Sequence, residues 1–319
     1  MDRRAPAYAV LVLVASVACG GAAADDVPDG PDAGGGSDAM EMTCLPTATH
    51  ALSLAAGAFP PSSDHPSAIV HVPDGFDRTL PIGLVVYVHG FDNCVANVLG
   101  DTDTECTPGD GPRRATSLAA QLAESGRNAL LVLPEVRFDE ASSDPGALGD
   151  DGGFRALLDE ALAALPPPLG PIALADVGHL IVASHSGGYR AVADMITVGE
   201  VDVDEVWLFD SLYGSTLAFD AWVMSRIPVL TLGARRFGTF YTSTGGTRAN
   251  NEAMADRAAA WVANSGDALV DDRTTETWPD GTYAHGLLFK HSMLTHDGVP
   301  RYYVERMLST SPLAPRSCR

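Results

Sequence analysis

The chain is poor in positive charge. Its 319 residues contain 20 Lys and Arg against 41 Asp and Glu, for a formal net charge of -21, and Lys290 is the only lysine. A surface this acidic repels polyanions, because like charges raise the free energy of the complex. The composition therefore argues against nucleic acid and against anionic membrane surfaces as partners.

Metal-binding spacings are also missing, and cysteine is scarce. Neither C-x-x-C nor H-E-x-x-H occurs in the sequence, so we expect no metal centre and no cofactor. If Cys19 carries a lipid, four cysteines remain, an even number that fits an oxidising compartment. We favour the pairs Cys94–Cys106, which closes a short loop, and Cys44–Cys318, which joins the two ends of the domain. Other pairings and free thiols stay open.

The longest N-terminal apolar run is too short to span a bilayer. Two arginines precede this run at residues 7–17, which is the pattern of a secretory signal. The run ends in small residues before Cys19, and this end resembles a bacterial lipobox, in which the cysteine is lipidated. Ser16 departs from that pattern, where Leu is usual, and Ala22-Ala23-Ala24 is a rival site for ordinary signal cleavage.

The residues after this leader (1–19) have little to bury. Residues 25–39 are mostly Asp, Gly and Pro, and such a segment cannot offset the entropy lost on ordering. We therefore expect residues 20–43 to be a disordered tether. No second linker or internal repeat interrupts residues 44–319, which predicts one domain.

Within that domain, apolar runs typical of strands alternate with helical patterns. The predicted strands are 51–55, 67–72, 82–88, 128–133, 179–184, 205–209, 228–232 and 286–293; the predicted helices are 112–126, 153–165, 189–198, 217–225, 248–264 and 300–308. This alternation predicts a parallel sheet covered by helices on both faces. Ligands of such sheets bind at the carboxyl ends of the strands, so residues that follow strands are the functional candidates.

One strand-to-helix junction carries a candidate nucleophile. The segment Ser184-His185-Ser186-Gly187-Gly188 has the form small-x-Ser-x-Gly between an apolar run and a helical pattern. This is the pattern of a nucleophile elbow, a tight turn that needs small flanking residues and exposes the serine hydroxyl. By itself the motif is common, and a plain strand-to-helix loop with a capping serine is the alternative.

Two further signals accompany the elbow. His89-Gly90-Phe91 follows the strand 82–88, and a late histidine follows the last strand. With these matches the chain resembles the α/β-hydrolase superfamily over about residues 50–310. The resemblance implies a three-layer α/β fold, with a mostly parallel, twisted sheet and helices on both faces. It also implies an oxyanion hole made by the backbone N–H groups of Phe91 and Gly187.

The family order of Ser, then Asp or Glu, then His assigns the base to a late histidine. We choose His296, because it lies in the loop between the last strand and the last helix. His291 and His285 lie within or before the apolar run 286–293, where packing or solvent exposure is the simpler interpretation. His291 is the main alternative base.

The acid of the triad is assigned to Asp210. It directly follows the strand 205–209, a variant position in the superfamily, whereas no carboxylate lies just after the strand 228–232. A cap of a turn or helix is the alternative role for this residue. Asp267, Asp271 and Asp272 are rival acids in the acidic loop after the helix 248–264.

These residues predict an extracytoplasmic serine hydrolase, lipid-anchored to the cell envelope or secreted. It would cleave a small-molecule or extracellular carboxylic ester through a Ser186, Asp210, His296 triad and an acyl-enzyme. We expect a monomer that contacts a membrane only through its lipid, with the loop 92–112 roofing the site. A peptidase or other amide hydrolase on the same triad, and a non-catalytic ligand-binding lipoprotein, are the alternatives.

Overall fold

A computed structural model describes residues 44–263, 268–274 and 278–318. The predicted leader with Cys19, the tether at 20–43 and the rival acid Asp267 lie outside the described residues. Among the described helices, none combines the length and the apolar character that crossing a membrane requires.

A nine-stranded sheet forms the middle layer of the described chain. Its strands are β2 Ala48–Leu52, β3 Ala68–Val72, β5 Ile82–Val88, β6 Ala129–Pro134, β7 Val177–His185, β8 Glu205–Phe209, β9 Arg236–Thr242, β10 Leu269–Asp272 and β11 Leu287–Ser292. Two further strands, β1 Cys44–Leu45 and β4 Phe76–Asp77, form a separate two-stranded ribbon. The order across the sheet is β2-β3-β6-β5-β7-β8-β9-β11-β10. Strand β3 is antiparallel to both of its neighbours, and every other adjacent pair is parallel.

Helices cover both faces of this sheet. They are α1 Val95–Leu99, α2 Leu118–Ser125, α3 Gly153–Ala163, α4 Tyr189–Thr197, α5 Thr216–Leu230, α6 Arg248–Trp261 and α7 Gly298–Ser309. Strand β5 shows why both faces are apolar, since successive side chains point to opposite sides. Leu84, Val86 and Val88 join the core under α3 to α6, whereas Val85 and Tyr87 join the core under α1, α2 and α7. The predicted three layers are confirmed.

The described residues contain two disulfides, between the cysteines that the sequence favoured as pairs. Cys94 and Cys106 have Cα atoms 5.6 Å apart, and Cys44 and Cys318 have Cα atoms 6.0 Å apart. The second bond joins β1 to the C-terminal segment across 274 residues of sequence.

The prediction of a strand at 228–232 is wrong. Its first three residues are the last turn of α5, which contains Pro228, and the strand lies further on as β9. The apolar run Pro-Val-Leu-Thr-Leu reads equally well as a strand or as the buried end of a helix, because it is too short to show a period. Leu230 is fully buried there as a helical residue.

Other predicted element boundaries also differ from the observed ones. The predicted helix 112–126 begins only at Leu118, because Arg113 forms an isolated bridge with Thr104 in the disulfide loop. The first strand of the sheet is Ala48–Leu52 rather than 51–55, and the sequence did not predict β10, a short edge strand rich in acidic residues. None of these shifts moves the carboxyl ends of β5, β7 and β8, where the candidate residues lie.

Candidate active site

Ser186 lies at the carboxyl end of β7, in the centre of the sheet. Its φ is 51°, in the left-handed region that non-glycine residues rarely adopt. A single helical turn, Ser186–Gly188, leads directly into α4. Such a conformation costs about 1–3 kcal/mol, and it persists only where the surrounding structure enforces it.

Close backbone approach explains the small residues around this turn. A Cβ added to Gly188 would lie 2.8 Å from the carbonyl oxygen of His89, and one on Gly90 would lie 2.6 Å from Cβ of Ser186. Both distances are shorter than carbon atoms tolerate, so only glycine fits. The His-Gly loop after β5 therefore lies directly against Ser186.

Phe91 also packs on the elbow. Its ring occupies the space that a Cβ on Gly187 would need, and 39% of the residue remains exposed. The two residues that the resemblance named for the oxyanion hole are therefore neighbours, although they come from different strands.

Asp210 follows β8 and is fully buried, again with a left-handed φ of 46°. Its carboxylate accepts hydrogen bonds from Thr242, at 2.8 Å from the hydroxyl and 3.3 Å from the amide, and from the Thr247 hydroxyl. Burial alone would raise the pKa of Asp210, but the hydrogen bonds from His296, Thr247 and Thr242 lower it below its ordinary value. The group is thus a carboxylate at neutral pH.

His296 lies between β11 and α7, and its Nδ1 is 2.8 Å from Oδ2 of Asp210. Because a carboxylate can only accept, Nδ1 donates, and the lone pair of the neutral imidazole is at Nε2. The side chain of His296 is 30% exposed, whereas that of Asp210 is fully buried. The sequence thus named two residues, 86 positions apart, that the fold brings into hydrogen-bond contact.

The rival bases are engaged elsewhere. His291 is a buried residue of β11, with Nε2 2.8 Å from the Ser243 hydroxyl and Nδ1 3.2 Å from the carbonyl oxygen of Arg273. His285 precedes β11, and so lies at the opposite end of that strand from His296.

The rival acids that the structure describes form ion pairs on β10. Nζ of the buried Lys290 is 2.6 Å from Oδ2 of Asp272, whose pKa is about 2 because the hydrogen bonds from Lys290, Thr274 and Trp278 outweigh burial. Asp271 pairs with Arg273 at 2.8 Å.

Several residues around the elbow were not predicted from the sequence. The hydroxyl of Ser211 donates to the carbonyl oxygen of Ser186 at 2.7 Å, and its oxygen lies 2.8 Å from that of Ser184. Tyr213 packs edge-on against His296, with ring centroids 6.4 Å apart. Burial and then the charge of Asp210 raise the pKa of Tyr213 to about 12, while a hydrogen bond with Ser186 acts in the opposite direction. Ser211 and Tyr213 come just after β8, where the rule about strand ends would have found them.

A second buried acid supports the His-Gly loop. Glu135 directly follows β6, and its Oε1 lies 2.6 Å from Nε2 of His89, while its Oε2 lies 3.3 Å from Nδ1 of His65. The amide of Val95 also donates to Glu135 at 3.3 Å. Burial would raise the pKa of Glu135, but the hydrogen bonds from His65 and His89 lower it overall.

Known structures share this architecture. A mutant feruloyl esterase module from Clostridium thermocellum, complexed with sinapinate, superposes with a TM-score of 0.52 at 10% identity, covering 86% of this chain and 89% of that chain. A structure of FAE gives 0.50 at 11% identity over 84% and 88% of the two chains. An acetyl xylan esterase from Aspergillus awamori gives 0.47 at 11% identity over 83% and 99%.

No family model and no curated protein matches the chain. At these identities the structural likeness establishes the fold and nothing finer. The sheet order, the helices on both faces and the first two superpositions identify it as an α/β-hydrolase fold.

Proposed function

We propose that this protein is a serine hydrolase that cleaves a carboxylic ester. The observation that carries the proposal is the 2.8 Å hydrogen bond between His296 Nδ1 and the buried Asp210 carboxylate. This bond forms at the carboxyl ends of the strands, where Ser186 has its strained φ. Nucleophilic acyl transfer requires a serine with an oriented imidazole close to it, and here both groups lie at the carboxyl ends of the strands.

Asp210 and His296 would activate the nucleophile. The carboxylate holds the imidazole in the tautomer with its proton on Nδ1, so that the Nε2 lone pair accepts the proton of the Ser186 hydroxyl. The resulting imidazolium is stabilised by the negative charge beside it, which Thr242 and Thr247 keep ionised by hydrogen bonding. Ser186 then attacks the carbonyl carbon of the ester.

The negative charge that develops on the carbonyl oxygen needs fixed donors. We assign this role to the backbone N–H groups of Phe91 and Gly187, whose residues are in contact. His296 returns its proton to the departing alcohol, which leaves an acyl group on Ser186. Water, activated by the same imidazole, then hydrolyses the acyl-enzyme and restores the hydroxyl.

The substrate and setting are part of the same proposal. We assign a small-molecule or extracellular ester, hydrolysed by a monomer outside the cytoplasm, with a lipid at Cys19 as the membrane contact and without nucleic acid as a partner. Disulfides persist mainly in oxidising compartments, and the described chain contains two of them, which supports this location. A structural neighbour described as a feruloyl esterase module supports an ester rather than an amide.

The test is hydrolysis of p-nitrophenyl acetate and of a peptide p-nitroanilide by the wild-type protein and by Ser186→Ala. We expect ester hydrolysis that Ser186→Ala lowers by about 10⁴- to 10⁶-fold in kcat, with an unchanged fold by circular dichroism. More than a tenth of wild-type activity in Ser186→Ala would rule out this nucleophile. Faster cleavage of the anilide would favour the peptidase, and folded but inactive wild-type protein would favour a binding lipoprotein.

A further inference from the structure

Three potential metal ligands meet beside the candidate base. One ring nitrogen of His185, one of His296 and one carboxylate oxygen of Asp297 all lie within 4.8 Å of one another. Across residues 44–263, 268–274 and 278–318, no other three His, Cys, Asp or Glu side chains come together in this way.

The fold brings the two imidazoles into contact. His185 is the last residue of β7, and His296 lies in the loop that precedes α7. Their ring centroids are 4.4 Å apart, and Nε2 of His185 lies 3.2 Å from the carbonyl oxygen of His296. Asp297 is exposed at the start of α7, so its carboxylate has room to change rotamer.

The contact with the carbonyl oxygen of His296 also fixes the tautomer of His185. Because a carbonyl oxygen can only accept, Nε2 donates, and the neutral imidazole has its lone pair at Nδ1. A nitrogen lone pair is what a metal ligand must offer.

We propose that His185, His296 and Asp297 bind one divalent transition-metal ion, preferably Zn²⁺, and that this ion reversibly blocks the hydrolytic site. Two imidazoles and a carboxylate are common zinc ligands, and a site with three protein ligands leaves a fourth position for water. Imidazole nitrogen favours Zn²⁺, Cu²⁺ or Ni²⁺ over Mg²⁺ and Ca²⁺, which prefer oxygen. The ligand atoms would have to approach one another, since Zn–N distances are about 2.0–2.1 Å.

Blocking follows from the role of His296 in the proposed function, on which this part of the inference rests. The Nδ1 of His296 is bound to Asp210, so a cation would take Nε2, the atom that must accept the serine proton. If the cation took Nδ1 instead, the bond to Asp210 would be lost. In either case the imidazole no longer acts as a base.

The experiment is calorimetric titration with ZnCl₂ of the full chain in a buffer that does not chelate metals. We expect one site in the wild-type protein and in Ser186→Ala, which keeps all three ligands. Asp297→Asn should weaken binding by at least about tenfold, since even residues behind metal ligands contribute that much. The matched control is Asp159→Asn, an exposed acid on α3, which should bind as the wild type does, and MgCl₂ should give no heat of binding.

Hydrolysis of p-nitrophenyl acetate is then followed at each Zn²⁺ concentration, relative to the metal-free rate of the same variant. We expect inhibition in the wild-type protein that a chelator reverses, and at least tenfold more Zn²⁺ for the same inhibition of Asp297→Asn. Equal binding to Asp297→Asn and wild type, or no binding, overturns the site. Binding at this site without inhibition overturns the block. Binding by a wild-type protein that hydrolyses no ester retains the site and refutes the proposed function instead.

Discussion

Two histidines near Ser186, each paired with a buried carboxylate at a strand end, differ in exposure and in partners. Glu135 and His89 are 2.6 Å apart, and Asp210 and His296 are 2.8 Å apart. The side chain of His89 is fully buried, whereas that of His296 is 30% exposed. Nδ1 of His89 lies 2.8 Å from the carbonyl oxygen of Gly90, so both of its nitrogens have partners within the protein.

The difference shows that a short bond to a carboxylate does not by itself make a catalytic base. A base must keep a nitrogen free for the substrate side, and His296 is the member of the two pairs that reaches solvent. The pair Glu135–His89 instead ties the end of β6 to the loop that carries Phe91. We infer that one pair moves protons and the other holds the loop in place.

The largest effect should come from His296→Ala. We expect a loss of about 10⁴- to 10⁶-fold in kcat for p-nitrophenyl acetate, because no other group accepts the serine proton. The control is His291→Ala, which removes the partner of Ser243 and should lower the unfolding midpoint in urea while retaining activity. An inactive His291→Ala protein beside an active His296→Ala protein would reverse the assignment.

Asp210→Asn should have the next largest effect. We expect about a 10⁴-fold loss in kcat, because an amide in place of the carboxylate favours the wrong imidazole tautomer. Asp272→Asn is the matched control on β10: it leaves the buried Lys290 without its negative partner, so stability should fall while kcat stays near the wild-type value. If Asp272→Asn were the inactive variant, the acid would belong to the later loop.

Glu135→Gln should act on stability rather than on chemistry. Removing this charge from beside His65 and His89 should lower the free energy of unfolding by about 3 kcal/mol at pH 7. The loss in kcat should be much smaller than the loss that Asp210→Asn gives. The folded-state pKa of Glu135 is lowered, so its stabilisation is present above the unfolded-state pKa and is lost as pH falls through the folded value.

Urea denaturation at pH 7 and in acid tests this direction of the pH dependence of stability. The free energies of unfolding of the wild-type protein and Glu135→Gln should differ most at neutral pH and converge in acid, where Glu135 is itself protonated and carries no charge. A difference that grows as pH falls would contradict the assigned role of Glu135.

The smallest effect should come from the loop disulfide, which adjoins the structural pair through Val95. Replacing Cys94 and Cys106 together by serine should lower the free energy of unfolding by about 2–3 kcal/mol, which is the loop-closure contribution expected for a loop of this length. Thermal unfolding measures the loss, and kcat should change less than it does for Glu135→Gln. Peptide mapping without reduction checks the pairing; a free Cys94, or its bond to Cys44, would contradict it.

The sequence was most informative where local pattern and function coincide. Apolar runs end just before His89, Ser186 and Asp210, and the rule that sites lie after parallel strands selects these positions from the sequence alone. The same rule applied to β6 would have selected Glu135, but an acid at the start of an acidic loop carries no distinguishing signal.

Contacts that depend on tertiary structure could not be predicted. Thr242 and Thr247 reach Asp210 only because β9 lies beside β8, and the residues 228–232, predicted as a strand, lie where α5 ends. The contact between His185 and His296 also joins residues 111 positions apart. No local pattern encodes such long-range contacts.

Labelling with a fluorophosphonate probe tests the central claim most directly. Intact-mass spectrometry of the wild-type protein, followed by peptide mapping, should show one adduct located on Ser186. Ser186→Ala should remain unlabelled, and His296→Ala should label far more slowly because the hydroxyl has lost its base. A folded wild-type protein that takes up no probe, or an adduct on Ser184 or Ser211 instead, would contradict the account.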